Sequence, residues 1–182
     1  MVEIGKRFSG EFDVTLDEAG RINLPRHLRD TLKEDKVVIT KGADPCIWLY
    51  TVERWMEEEN RIVRATNPYS VQGRKLRRHY IGPSLEIDID KQGRILIPPA
   101  LRDFAGLSRE CKIVGQHDYV EIWDGERYKA LQFCDDELQF ASEEMGGRIQ
   151  VEEEKELDDG GKSPHSGAAG GDSAISRSEK QV

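Results

Sequence analysis

Apolar and polar positions alternate in two short stretches that lie 73 residues apart. In FDVTL, Phe12, Val14 and Leu16 fall on one face, and Asp13, Thr15 and Asp17 on the other. In LEIDI, Leu85, Ile87 and Ile89 oppose Glu86, Asp88 and Asp90. A period of two predicts β-strands with the apolar set inward. Each stretch runs into D-x-x-G, a hairpin-turn signal in which Asp bonds turn N–H groups and Gly takes a positive φ. The segments RINL and RILI then resume strand character, with Ile22 and Leu24, or Ile95 and Ile97, inward. Pro25 and Pro98 end those strands and suit the first turn of short helices, RHLRDTL and PALRDFAGL. Gly106 reads as the stop of the second helix. Two further strand pairs follow, KVVIT with CIWLY and CKIVG with YVEIW, and then longer helices over about 52–64 and 125–143.

The two stretches belong to a longer repeat. The same offset carries DEAGRINLPRHLRD, starting at Asp17, onto DKQGRILIPPALRD, starting at Asp90. It carries Gly42 onto Gly115, and ERW at Glu53 onto ERY at Glu126, with no gap between residues 12–55 and 85–128. A fixed period of this kind marks duplication of one supersecondary unit. The expected class is therefore α+β, with two β-β-α-β-β units, each ending in a helix. Residues 1–66 form the first module and 67–145 the second. Residues 146–182 are rich in Gly, Ser and acids, too poor in apolar surface to offset ordering entropy, and are expected to form a disordered acidic tail.

Charge complicates the choice of partner. The 182 residues carry a formal net charge of −8, which argues against a generic nucleic-acid binder. The sign is unevenly spread, however. Residues 60–80 hold six Lys/Arg (Arg61, Arg64, Arg74, Lys75, Arg77, Arg78) and no acid, whereas residues 151–182 hold eight acids and four bases. The basic stretch fits a DNA contact, a solvated helix face, or pairing with the acids of MEEEN at Met56–Asn60 in a neighbouring subunit. Cys46, Cys111 and Cys134 lack ligand spacing and read as reduced structural thiols. His27, His79, His117 and His165 show no ligand or catalytic spacing and read as surface residues, and Trp48, Trp55, Trp123 and Tyr128 as core or interface aromatics. No stretch has the length to span a bilayer or the pattern of a signal peptide, so the expected compartment is the cytoplasm.

Strand phase places Arg21 and Arg94 outward beside their turns, each next to an outward Asp17 or Asp90. A local salt bridge that pins the hairpin accounts for the pair at about 0–1 kcal/mol. A guanidinium fork oriented by Asp toward phosphate or a guanine edge accounts for it equally. The residues DEAGRINLPRHLRD, and DKQGRILIPPALRD with LRRHYIGPSLEIDIDKQGRILIP leading into it, resemble the MraZ family over about residues 4–145. That resemblance implies two SpoVT-AbrB-type modules interleaved into a swapped-hairpin β-barrel with flanking helices. It also implies a ring of many subunits acting as a bacterial transcriptional repressor. The expected partner is double-stranded DNA, at short direct promoter repeats upstream of the division and cell-wall gene cluster and of the protein's own gene. The family's D-x-x-x-R element falls on Asp17 and Arg21 and on Asp90 and Arg94, with Gly20 and Gly93 forming the turns and Lys91 adding a cation to the second. Glu18 and Ala19 depart from the basic character common at the first turn.

The implied location is cytoplasmic and nucleoid-associated, with no cofactor, metal, membrane or small-molecule ligand. Two rivals remain at this level. Asp17 and Asp90 could form a carboxylate pair across a pseudo-twofold axis, as in acid hydrolases, which would require one raised pKa. Alternatively, the chain could be an antitoxin-like module that sequesters a protein partner.

Overall fold

The computed structural model describes residues 7–33, 35–131, and 140, 142, 143 and 145. The first compact unit spans Met1–Gln132. Its elements are β1 (Glu11–Thr15), β2 (Arg21–Asn23), α1 (Arg26–Leu32), β3 (Lys36–Lys41), β4 (Ile47–Tyr50), α2 (Val52–Ala65), α3 (Val71–Tyr80), β5 (Leu85–Asp88), β6 (Arg94–Leu96), α4 (Pro99–Ala105), β7 (Glu110–Gly115), β8 (Val120–Asp124) and α5 (Gly125–Ala130). Beyond it, the helical residues 140, 142, 143 and 145 belong to a second unit. Most of the expected tail, together with Cys134 and His165, lies outside the described residues. No helix among the described residues is long and apolar enough to cross a membrane.

The class is α+β, with antiparallel strands. The strands of the two copies intermingle rather than folding back on their own hairpins. One sheet runs β1-β7-β8-β4-β3-β5 and a second is the two-stranded ladder β2-β6. Thus β1 pairs with β7 of the other copy, and β5 pairs with β3. Among the described residues a single β-bridge, Leu16 to Ile22, joins the two arms of the first turn. These ladders form two sheets, not one closed barrel.

An approximate twofold axis relates the copies. Ile22 faces Ile95, its own equivalent 73 residues on, and Trp48 faces Glu121, likewise its own equivalent. Both isoleucines are fully buried, and with Leu24, Leu28, Val37, Ile39, Ile97, Leu101 and Ile113 they lie in the main core.

The repeat is not gapless, contrary to the reading of the sequence. Phe12 faces Ile113, whereas its equivalent Leu85 faces Ile39, so β3 matches β7 at an offset of 74. One extra residue precedes β7, and the turn after it is one residue shorter, which restores the offset of 73 at β4 and β8. The correction follows from strand physics, because a one-residue slip moves every side chain to the opposite face. The offset of 74 keeps Val37 and Ile39 in register with the buried Cys111 and Ile113.

Two further expectations need amending. Leu85 is 46% exposed, since β5 is an edge strand with one free side. The helix expected over 125–143 ends in its described part at Ala130, with Leu131 as its cap; residues 132–139 lie outside the described set. Cys46 and Cys111 are buried free thiols, and Trp55 and Trp123 are buried, as expected.

Candidate nucleic-acid interface

Each turn is built by one aspartate. The Arg21 and Asp17 main chains exchange a bond in which the Asp17 N–H donates to the Arg21 carbonyl at 2.9 Å, and the Gly20 N–H donates to the Asp17 carbonyl at 3.0 Å. The Asp17 Oδ1 then accepts the Arg21 N–H at 2.7 Å. In the second turn the Asp90 Oδ1 accepts the N–H groups of Gln92 and Arg94, both at 2.9 Å. Gly20 and Gly93 adopt φ of 82° and 79°, where a side chain would be strained.

The two turns differ in how they hold their arginine. Arg94 Nε and Nη2 both reach Asp90 Oδ2 at 2.8 Å. Among the described residues no ion pair holds the Arg21 guanidinium. The Arg94 N–H and then its guanidinium hold the Asp90 carboxyl below the usual carboxylate range. That direction favours the ionised form, in which Asp90 accepts the turn's N–H groups and the Arg94 guanidinium.

The β2–β6 ladder brings the arginines together. Arg21 lies opposite Leu96 and Asn23 opposite Arg94, with the Ile22–Ile95 pair between them pointing into the core. Arg21, Asn23, Arg94 and Leu96 therefore share the outer face. Diagonal neighbours of this kind lie about 7–8 Å apart, with their Cβ atoms somewhat closer. Both arginines are half-buried, with the Arg94 side chain 34% exposed, while Asn23 and Leu96 are open to solvent. Lys91 is exposed at the second tip, as are Glu18 and Ala19 at the first.

A second pair of arginines went unread in the sequence. Arg29 of α1 lies so close to Gly93 that a Cβ there would run into its guanidinium, and Arg102 of α4 stands in the same relation to Gly20. Each copy's helix thus backs the other copy's turn. The Nε atoms of both arginines are buried without a hydrogen-bond acceptor. The available signal was the LRD kept at the end of both fourteen-residue stretches, but a helical arginine ordinarily reads as solvated surface.

The basic stretch divides by residue. Its C-terminal half forms α3, capped by Ser70, whose Oγ accepts the Gly73 N–H. Arg77 is structural: its Nε donates to Thr66 Oγ1 at 2.8 Å, and its Nη2 donates to the carbonyls of Val63 at 2.9 Å and Thr66 at 2.8 Å. It satisfies carbonyls that the end of α2 leaves open. Arg61 pairs with Glu58 at 2.5 Å, inside the same chain. Arg64, Lys75 and Arg78 remain exposed. Arg77→Ala is expected to cost about 1–3 kcal/mol, with Arg77→Lys failing to restore it because only the planar fork makes all three bonds. Urea titration of both variants checks this, and Arg78→Ala should stay within about 0.5 kcal/mol of wild type. His79 also departs from a surface role: its Nε2 is 2.8 Å from the Gly42 carbonyl and its ring meets Phe104 edge-on at 5.7 Å.

Comparison with known proteins adds an independent line. The family profile described as "MraZ protein, putative antitoxin-like" matches residues 7–71 and again 81–146. The transcriptional regulator MraZ of Treponema denticola is 37% identical over 139 residues, covering 76% of this chain and 96% of that protein. The transcriptional regulator MraZ of Treponema pallidum is 34% identical over 123 residues, covering 68% and 83%. A solution structure from Pyrococcus horikoshii aligns with 63% of this chain and 87% of its own at 17% identity, with a TM-score of 0.29, too low to inform the fold.

Proposed function

The chain belongs to the MraZ family of transcriptional regulators, and from that premise we propose that it binds promoter DNA through the outer face of the β2–β6 ribbon. The observation that carries the proposal is the placement of Arg21 and Arg94 on one solvent-facing ladder. A two-stranded antiparallel ribbon fits the major groove of B-DNA. Its four outward residues have the chemistry of base edges: Arg for guanine, Asn23 for adenine, and the 49%-exposed Leu96 for a thymine methyl. Asn23 and Leu96 occupy equivalent places in the two copies, so the ribbon is not symmetric, which suits direct rather than inverted repeats.

One tip carries too few cations to hold DNA against a net charge of −8. In a ring of subunits, docking of one tip gives its neighbours a high effective concentration at the next repeat, worth about 10²–10⁴-fold. The ribbon then lies on a basic belt, with the acidic surface elsewhere. On this reading residues 1–66 and 67–145 are the two modules, whose strands interleave in the manner of a swapped-hairpin barrel. The protein is a cytoplasmic, nucleoid-associated repressor of its own promoter and of the adjoining division and cell-wall genes.

Gel retardation with DNA from upstream of the protein's own coding sequence tests the proposal. A discrete shifted complex is expected, and it should vanish when the repeats are scrambled at constant length. Retention of both fragments alike would reduce the protein to a non-specific binder, and retention of neither would remove DNA as the partner.

A further inference from the structure

The two tips of one chain are not equivalent, and the difference lies in the residue that ends α1. At the end of α4, Gly106 adopts φ 62° as a left-handed cap. The matching position 73 residues earlier is Lys33, which adopts φ 50° in the same role. A lysine in that conformation is strained where glycine is not. Strained backbone of this kind concentrates at functional sites, where the side chain must be supplied despite the conformational cost.

The position of Lys33 supplies the reason. It is exposed, and among the described residues no ion pair holds it. With Arg29, it lines an open cleft of about 470 Å³ whose other walls are Asp35, just before β3, and Ile89, Asp90, Lys91 and Gly93 of the second tip. Both Asp90 oxygens are already engaged, Oδ1 by main-chain N–H groups and Oδ2 by Arg94. Three cations from two copies thus converge on one cleft: Lys33, Arg29 with its unsatisfied buried Nε, and Lys91. At the first tip Gly106 stands in place of Lys33 and Glu18 in place of Lys91, and Arg102 is joined not by a lysine but by Arg127, whose guanidinium lies against Gly106.

We infer that this cleft seats one DNA backbone phosphate, with Lys33 as its principal cation and Arg29 and Lys91 beside it. The first tip lacks both lysines. The inference rests on the reading of the tips as the DNA-binding surface. It adds that the second tip anchors each subunit to the backbone through Lys33 and Lys91, which the first tip lacks. A phosphate contact carries no sequence information but fixes register on the duplex.

The test compares Lys33→Gly, Lys33→Arg and Arg94→Ala in the full chain. Fluorescence anisotropy on a promoter fragment holding one repeat, across a salt series, is read together with thermal unfolding. Lys33→Gly is expected to raise the melting midpoint by about 2–4 °C, because the strain is relieved, and to weaken binding. The slope of log affinity against log salt should fall by about 0.9, the value of one phosphate contact. Lys33→Arg should preserve affinity and slope. If Lys33→Gly leaves affinity and slope unchanged while Arg94→Ala abolishes binding, the phosphate seat is refuted and the tip reading stands. If Arg94→Ala also binds normally, both fall. A lowered melting midpoint in Lys33→Gly would show that the lysine is held there for stability, which overturns the inference as well.

Discussion

Arg94→Ala is expected to abolish retention of the direct-repeat promoter fragment while leaving the oligomer intact. The side chain stands on the outer face of the ribbon, and its ion-pair partner among the described residues is a carboxylate that is itself 37% exposed. Loss of an exposed pair costs the fold about 0–1 kcal/mol, too little to unfold a domain. The effect on DNA is of another order. A bidentate arginine contact is worth about 1–3 kcal/mol, or about 5- to 150-fold per tip. The substitution also uncovers Asp90, whose charge then faces phosphate without a neutralising partner. In the proposed ring every subunit would carry the same defect, and the losses would multiply. Anisotropy titration measures the binding, and light scattering on the same sample measures the assembly.

The largest loss of stability is expected from Ile95→Ala. Ile95 is fully buried and faces Ile22 on the approximate twofold axis, at the ladder that joins the two turns' second arms. Removing its branched chain leaves a cavity that two copies' worth of core surrounds, at a cost of about 2–5 kcal/mol. That is a large part of the about 5–15 kcal/mol of an ordinary domain. The adjacent Leu96 is a control, because its side chain is on the outer face; Leu96→Ala should stay within about 0.5 kcal/mol. Urea unfolding followed by tryptophan fluorescence reads both, since Trp55 and Trp123 are buried. Equal destabilisation by the two substitutions would mean that the ladder's register is misassigned, and with it the outward face of Arg21 and Arg94.

Local structure was legible in the sequence, and partnership was not. Alternation at Ile22, Leu24, Ile95 and Ile97 says which side chains go inward, and D-x-x-G says where the chain turns; both follow from single-residue chemistry. Neither says which strand lies alongside. FDVTL and RINL read as two arms of one hairpin, whereas β1 is paired with β7 and β2 with β6. Pairing is a tertiary choice, made by the fit of two apolar faces from distant parts of the chain. The offset of 74 at β7 was hidden for a related reason, since the eye follows Gly42 and Gly115 while the core follows Ile39 and Ile113. The helix over Val71–Tyr80 has few apolar positions to betray a period, and its best-anchored residue is Arg77. The cations at the second tip eluded the sequence because Arg29 and Lys33 sit about sixty residues from the turn they serve.

One titration weighs these ideas together: anisotropy at fixed salt with wild type and Arg94→Ala, on fragments of equal length holding one repeat or three. If tips displayed on a common ladder act in concert, three repeats tighten wild-type binding by about 10²–10⁴-fold over one, and the variant shows no such gain. A gain of the same size in the variant, or none in wild type, would contradict the account.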